Sequence, residues 1–457
     1  MKALFISKPL KMEPLGLLYL SAVAKQAGHE VQLLLANDPQ LESKVKTFAP
    51  DVIGYSITTG EQKFYFELNK RLKKVFDFTS VFGGPHATFF PDIIYEQGVD
   101  VVCRGEGEGA FVDLLNGRPR ETISNLYVKD GTSFCLNNNL RPLAVLDDLP
   151  FPDRSILNGI LISPIKHFLA TRGCPFNCSY CFNEQYSKLY KGERVRFRSV
   201  DSVIQEIIEV TLDKATKFVY FQDDVFILDK QWLREFTQKY KNNVAFPFHC
   251  HVRANILDTE KVALLKEAGC YSVHIAAETA DDFIRNQILR RNMSREQIIA
   301  AAKMLKAAGI KFMMQNIIGL PTGNKDIDLA TLELNIKCKP DYAWVSIFQP
   351  YPGTKLGEYC KSHKWFSGNF DDLDPNFFDE SKLNFSKDYK EWLKRFQKAF
   401  AIFVEYPLLY KCCGASFLKG VSLEVLRMAY TLFRKEADKR LYGFDPTQEE
   451  GSAHGKI

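Results

Sequence analysis

The chain has 457 residues, with 60 Lys and Arg against 55 Asp and Glu, for a net charge of +5. Hydrophobic residues at 46% and charged residues at 25% are ordinary for a folded chain, which excludes disordered and collagen-like classes. The longest apolar stretch, near 16–24, falls short of the roughly 18 residues a membrane-spanning helix needs, and so small a charge excess makes no case for nucleic acid. At about 150 residues per domain, the length predicts two or three domains. No signal-peptide pattern is visible over 1–11, so a cytoplasmic setting is expected. The 11 cysteines, odd in number, then read as reduced thiols, core residues or metal ligands rather than a disulfide framework.

The first 120 residues alternate short apolar runs with helical patterns. KALFIS (2–7) reads as a strand, and PLGLLYLSAVAKQAG (14–28) as a helix carrying Leu15, Leu18 and Ala22 on one face and stopped by Gly28. HEVQLLLA, DVIGYSI, SVFGG and VDVVCRG supply four more strands, with helices over FYFELNKRLKKVF and GAFVDLL. This rhythm predicts a doubly wound parallel sheet. Each later strand ends in a small or polar cluster (SITTG, GGPHAT, GEGE), and ligands of such sheets sit at the strands' carboxyl ends. Residues 124–138 read as a β-hairpin turning at Asp130-Gly131, and the proline-containing stretch 141–155 as an interdomain linker.

A second series follows. Strands are expected at 167–171, 217–221, 245–252, 271–278, 311–318 and 342–348, separated by helical patterns. Ser294 with Gln297 forms a capping-box start, while Gly269 and Gly309 supply stops. Six β/α units are two short of a closed barrel, so a partial (β/α)6 barrel is expected. Beyond about 365 the strand signal gives way to amphipathic helices, and 446–457 has a disordered composition. The fold class is therefore α/β: a Rossmann-like N-terminal sheet, a partial TIM-like barrel and a C-terminal helical region.

The chemistry concentrates in RGCPFNCSYC, where Cys174, Cys178 and Cys181 follow the first strand of the second series. Gly173, Pro175 and Asn177 favour a turning backbone that lets three thiolates converge. Structural zinc takes four ligands, and here a distant histidine would have to complete the set. Three cysteines suit instead three irons of a four-iron, four-sulfur cluster, with one iron left open.

CxxxCxxC with an aromatic residue, Tyr180, before the last cysteine resembles the radical S-adenosylmethionine superfamily, and the resemblance runs over about 165–360. It implies that Cys174, Cys178 and Cys181 hold a 4Fe-4S cluster whose open iron chelates S-adenosylmethionine, cleaved reductively to a 5′-deoxyadenosyl radical. By position in the later segments it implies contacts from Gln222, Asp223 and Asp224 to the methionine amino group, from Arg253 to its carboxylate, and from Glu278 to the cofactor. Ile318, in NIIGLPTGN, falls near the adenine, although Thr322-Gly323-Asn324 departs from the frequent GLPGET form. The reductant implied is a flavodoxin or ferredoxin.

The N-terminal segments resemble the cobalamin-binding domains fused to such enzymes. That resemblance carries over Leu15 and Gly16, places Ser56 and Thr58 near the corrin's lower face, and puts Gly83, Gly84 and His86 near the nucleotide tail. Glu106 and Glu108 fall at the cofactor edge. No DxHxxG sequence is present, so cobalamin is expected to bind without a protein histidine on cobalt. The expected domains are a cobalamin-binding domain over 1–130, a hairpin and linker over 131–164, a radical barrel over 165–364, a helical cap over 365–445 and the tail.

The function these features imply is methylation of an unactivated carbon by a cobalamin-dependent radical S-adenosylmethionine enzyme, on a small-molecule, lipid or peptide substrate. An oxidative cyclase or rearrangement enzyme shares the cofactors, and a non-catalytic cobalamin or S-adenosylmethionine sensor is the alternative of another class. A methylthiotransferase would need a second N-terminal cysteine set, whereas only Cys103 precedes Cys135. Among weaker features, Cys412-Cys413 reads as core packing. His249 and His251 flank Cys250 in a run suggestive of metal, but alternation sends the histidines to one face and Cys250 to the other, and one is expected to be a satisfied core group. Phe396, Phe400 and Phe403 form a helical stripe expected to be core.

Overall fold

The strand KALFIS is buried along its middle four residues, as a central parallel strand covered on both faces must be. In the computed structural model, which describes residues 1–190, 194–212, 215–370, 373, 376–414 and 417–446, it is β1 (Lys2–Ser7). The first sheet adds β2 (Glu30–Leu35), β3 (Val52–Ser56), β4 (Thr79–Gly83), β5 (Val101–Cys103), β6 (Leu126–Asp130) and β7 (Ser133–Leu136), in the order β2-β1-β3-β4-β5-β6-β7. Strands β1 to β5 are parallel; the expected hairpin adds β6 and β7 antiparallel at the edge, turning at Gly131 with φ +57°.

Helices α1 (Leu15–Gln26), α2 (Leu41–Phe48), α3 (Gln62–Lys73), α4 (Gly84–Phe89) and α5 (Glu108–Leu115) connect these strands. Leu4, Ile6, Val45, Ile53, Tyr55, Leu72 and Phe82 form a core on one face of the sheet. The chain divides into two compact units, one comprising Met1–Ile162 with described residues of Tyr186–Gly192, the other Ser163–Gln185 with described residues of Glu193–Glu450. The stretch expected as a linker is tied down in the first unit: Asp153 accepts from Ser21 Oγ at 2.5 Å and pairs with Lys25, while Arg154 pairs with Glu13.

In the second unit β8 (Ile165–Phe168) leads to a short antiparallel ribbon of β9 (Thr171–Arg172) and β10 (Arg196–Phe197). With β8, the strands β11 (Phe218–Phe221), β12 (Phe248–His251), β13 (Cys270–Glu278), β14 (Lys311–Ile318) and β15 (Tyr342–Ile347) form a six-stranded, all-parallel sheet in the order β15-β14-β13-β12-β11-β8. This is the expected partial barrel. The first and third strands depart most from the expected bounds. The Asp223 carboxylate takes the Ala170 N–H and the Thr171 hydroxyl, drawing the chain out of the ladder after Phe168. Ala245, at φ +55°, and Pro247 delay the third strand until Phe248.

Helices α6 (Phe182–Leu189), α7 (Val200–Thr211), α8 (Lys230–Asn243), α9 (Thr259–Glu267), α10 (Arg295–Ala307), α11 (Lys325–Cys338) and α12 (Lys355–Ser362) complete the β/α units. Both hydrogen bonds of the Ser294–Gln297 capping box are present. The last helices are α13 (Lys387–Glu405), α14 (Pro407–Cys413), α15 (Phe417–Gly420) and α16 (Leu423–Tyr442). Phe396, Phe400 and Phe403 are core, packed with Trp392 and Leu393 on Ile318, Val345 and Ile347. The expectation that Cys412-Cys413 is core packing is corrected at Cys412, which is exposed because α14 is a short surface helix; the Cys413 side chain lies outside the description. The tail expected over 446–457 lies, Pro446 apart, outside the described residues. Among those described, no helix is long and apolar enough to cross a membrane.

Candidate active site at the carboxyl ends of the barrel strands

The cysteine loop is held from several sides. Gly173 has φ +98°, and a Cβ there would lie 2.0 Å from the Arg194 carbonyl oxygen, so glycine is required. Asn177 accepts from Arg194 Nη1 at 2.8 Å, and Ser179 donates through N to Leu289 O at 3.0 Å and through Oγ to Ile288 O at 2.5 Å. The Cys181 N–H returns to Cys178 O at 3.1 Å. Cys178 is buried, while Cys174 and Cys181 are half-buried. Burial pushes the Cys174 thiol up to about 11 and Cys181 up to about 12, with the Asp224 carboxylate raising both further. Metal binding at this loop must therefore displace thiol protons.

Two arginines and an acid surround the loop. Arg253 stacks its guanidinium 3.9 Å from the Phe176 ring centroid, reaches Cys178 Sγ at 3.5 Å through Nη1, and donates to Asn255 Oδ1 at 2.9 Å and to the Arg291 carbonyl. Tyr180 donates its hydroxyl to Glu278 Oε1 at 2.7 Å. Arg291 donates to the same hydroxyl at 2.5 Å, to Glu278 at 3.2 Å and to the Ala276 carbonyl at 2.7 Å. Burial opposes the Arg291 charge, but Tyr180 and Glu278 more than offset it and hold the guanidinium protonated. Glu278 sits at φ +64°, beside a register shift that ends β13. That conformation costs an L-residue about 1–2 kcal/mol and persists because the network fixes the side chain.

Other expected site residues divide. Asp224 is solvent-accessible and accepts from Asn183 Nδ2 at 2.8 Å; protein around it pushes its carboxyl up. Asp223 is fully buried, pushed up to about 6 by desolvation, and its carboxylate is turned to Ala170 and Thr171 rather than to the loop. Gln222, half-buried, donates its N–H to Phe168 O at 2.8 Å. The structure does not bring the Ile318 side chain to this group: alternation turns it toward Leu393 and Phe396, and Ile317 instead packs beside Tyr180 and Leu320. The departing Thr322-Gly323-Asn324 stretch makes a turn, Gly323 N to Leu320 O at 2.9 Å, and Asn324 caps α11.

Thus Cys174, Cys178, Cys181, Tyr180, Asp224, Arg253 and Glu278 belong to one neighbourhood. Arg291 is the residue that sequence reasoning missed. It lies in an irregular stretch between Arg290 and Asn292, both at positive φ, where no periodic signal marks it. Its Nε is buried without a partner, a donor left for a ligand.

In the first unit, the order β2-β1-β3 reverses direction at β1, and such a switch point opens a crevice at the carboxyl ends of the strands. Ser56, ending β3, and Thr58 just after it are exposed there, and Gly83 ends the neighbouring β4 with Gly84 following. A Cβ on Gly84 would meet Ser56 Oγ at 2.8 Å, so this edge admits close backbone approach only with glycine. Leu15 is buried and Gly16 exposed at the start of α1. Glu106 donates its N–H to the Tyr190 hydroxyl at 2.9 Å, and Glu108 opens α5. His86 turns inward: it is buried, contacts Thr59 Oγ1 at 3.0 Å and lies with its ring 4.9 Å from that of Phe90.

Residues 168–334 match the radical SAM superfamily model, and residues 1–115 match the B12 binding domain model. The chain is 31% identical over 368 residues to an uncharacterized methyltransferase of Pyrococcus horikoshii, covering 76% of this chain and 78% of that one. It is 23% identical over 399 residues to the anaerobic magnesium-protoporphyrin IX monomethyl ester cyclase of Cereibacter sphaeroides, covering 81% of this chain and 62% of that one. In fold it resembles the radical S-adenosylmethionine methyltransferase TsrM from Kitasatospora setae, solved with cobalamin and a [4Fe-4S] cluster, with TM-score 0.66, 16% identity, and 79% and 75% of the two chains covered.

Proposed function

The chain belongs to the cobalamin-dependent radical S-adenosylmethionine enzymes of methyltransferase type, and on that premise we propose that it methylates an unactivated carbon of a small-molecule, lipid or peptide substrate. The observation that carries this reading is the three-cysteine loop lying against Arg253 and the Tyr180–Glu278–Arg291 network. Three thiols with no fourth cysteine in the same run of sequence fit a cluster with an open iron better than a closed zinc site. When bound, the cluster supplies the electron that cleaves the sulfur–carbon bond of S-adenosylmethionine, and cobalamin supplies a carrier for the methyl group.

This chain's own residues bind and orient. Cys174, Cys178 and Cys181 would hold the cluster. Arg253, fixed over Phe176, offers a guanidinium to a carboxylate, and the buried Arg291 Nε offers a further donor. Glu278 and Asp224 offer acceptors to an ammonium group, while the apolar wall of Ile317 and Leu320 excludes water. Asp223 is a positioning residue that fixes the strand entering the loop.

In the first unit Ser56, Thr58, Gly83 and Gly84 would receive cobalamin without a protein histidine on cobalt. The inward His86 supports this, as does His29, which bonds Asn116 Oδ1 at 2.9 Å just before β2, at the amino end of the parallel strands. The division into a cofactor domain over 1–130, a barrel over 165–364 and a helical cap over 365–445 is part of the same proposal. So are a flavodoxin or ferredoxin reductant and a cytoplasmic setting.

The 23% identity to a cyclase keeps ring closure as a second reading. Product masses decide. With candidate substrates under anaerobic reducing conditions, a gain of one methyl group together with S-adenosylhomocysteine is expected; loss of two hydrogens without methyl gain overturns the methyl-transfer reading.

A further inference from the structure

Deeper in the barrel, the strands β12 and β13 bring three imidazoles together. His251 lies directly across the ladder from His274, and His249 sits two residues before His251, on the same face. Ring centroids are 4.4 Å apart for His249 and His274 and 4.7 Å for His251 and His274, and one ring nitrogen of each lies within 4.8 Å of the other two. Cys250, between them, points the other way into the core beneath α8 and α9. The residues are distinct from those of the cysteine loop: Glu278, which touches the loop through Tyr180, lies four residues beyond His274, about 13 Å along an extended strand, and His251 lies two residues before Arg253, whose long side chain reaches Cys178.

We propose that His249, His251 and His274 form a second metal site, a three-imidazole site for a divalent transition-metal ion of borderline softness, zinc being the type example. The hydrogen bonding fixes one ligand's tautomer. Ser272 Oγ donates its single proton to the Leu441 carbonyl at 2.7 Å, so it accepts from His249 Nδ1, also at 2.7 Å. His249 Nε2 therefore carries a bare lone pair, buried without a partner. His274 Nδ1 is likewise buried and unpartnered.

A native interior rarely leaves two such nitrogens idle. A metal-bound imidazole whose other nitrogen donates to a fixed oxygen is the usual arrangement around such ions, and Ser272 and Leu441 provide it. Imidazoles bound tetrahedrally place their nitrogens about 3.4 Å apart, so the present separations of up to 4.8 Å must close when an ion binds. His251 Nε2 lies 3.1 Å from the Tyr220 hydroxyl, a contact that an ion at that nitrogen would displace. His251 and His274 keep partial solvent access, a route for an ion.

The test uses the full-length chain with Cys174, Cys178 and Cys181 all changed to alanine, stripped with chelator and free of cobalamin, so that iron and corrin cobalt are absent. Anaerobic titration with Co²⁺ should give one bound equivalent with the visible absorption of a four-coordinate ion. Affinity should fall at least tenfold in the His249→Ala and His274→Ala versions, whose folding is checked by circular dichroism. Absence of binding, or unchanged affinity in a folded histidine variant, overturns the proposal. Should those variants not fold, X-ray absorption on the cobalt-loaded parent reads the ligands directly. Three imidazole nitrogens support the site; a sulfur shell or an all-oxygen shell overturns it.

Discussion

At the scale of single residues, Arg291 shows why a site is more than its motif. Its guanidinium, buried at 5% exposure, joins Tyr180 from the cysteine loop to Glu278 at the end of β13. Removing one member of a buried ion pair leaves the other charge unpaired, at a cost of about 3–5 kcal/mol. Arg291→Met is therefore expected to lower stability by that amount in urea unfolding and to depress 5′-deoxyadenosine formation, with Arg291→Lys recovering part of both. The three cysteines were legible from their spacing, while Tyr180, Arg253 and Glu278 came only from the family resemblance, and the structure gathers them beside the loop. Arg291 was not legible, because its role depends on an irregular backbone between strand and helix. Asp223 came from the same resemblance, and the structure turns its carboxylate to Ala170 and to Thr171 of β9.

Elements were legible where periodicity was strong. All six barrel strands, the capping box and the Phe396–Phe400–Phe403 stripe follow from spacing alone. Strand ends were less so, because a long-range hydrogen bond from Asp223 and the backbone at Ala245 decided them. A similar long-range bond ties α11 to its neighbours. Asp328 accepts from the Gly319 N–H at the end of β14 at 3.1 Å and from the Tyr389 hydroxyl of α13 at 2.6 Å. Burial pushes its carboxyl up to about 7. The folded state then keeps a proton that the unfolded chain loses above about pH 4, so this contribution is full below pH 4 and is lost as pH rises through 7. The wild type should therefore exceed Asp328→Asn in stability by more at pH 5 than at pH 8, by a few kcal/mol across the window. Urea midpoints at the two pH values check this; a difference independent of pH would contradict it.

At the scale of the whole molecule, a doubly wound sheet with its switch point at β1 and a six-stranded open barrel each present a site at the carboxyl ends of their strands. Fold alone would not assign an activity. The cysteine loop does, together with the family to which the chain belongs. Beside the three cysteines of the loop, Cys103, Cys250, Cys270, Cys338 and Cys360 are buried free thiols. The substrate stayed illegible because nothing in the strand or helix periodicity encodes it. The central claim is that Cys174, Cys178 and Cys181 hold the cluster on which S-adenosylmethionine is cleaved. Anaerobic reconstitution with iron, sulfide and cobalamin, wild type beside Cys178→Ala, tests it most directly through iron content and 5′-deoxyadenosine release. The account predicts that both collapse in Cys178→Ala; cluster content and cleavage surviving that change would contradict it.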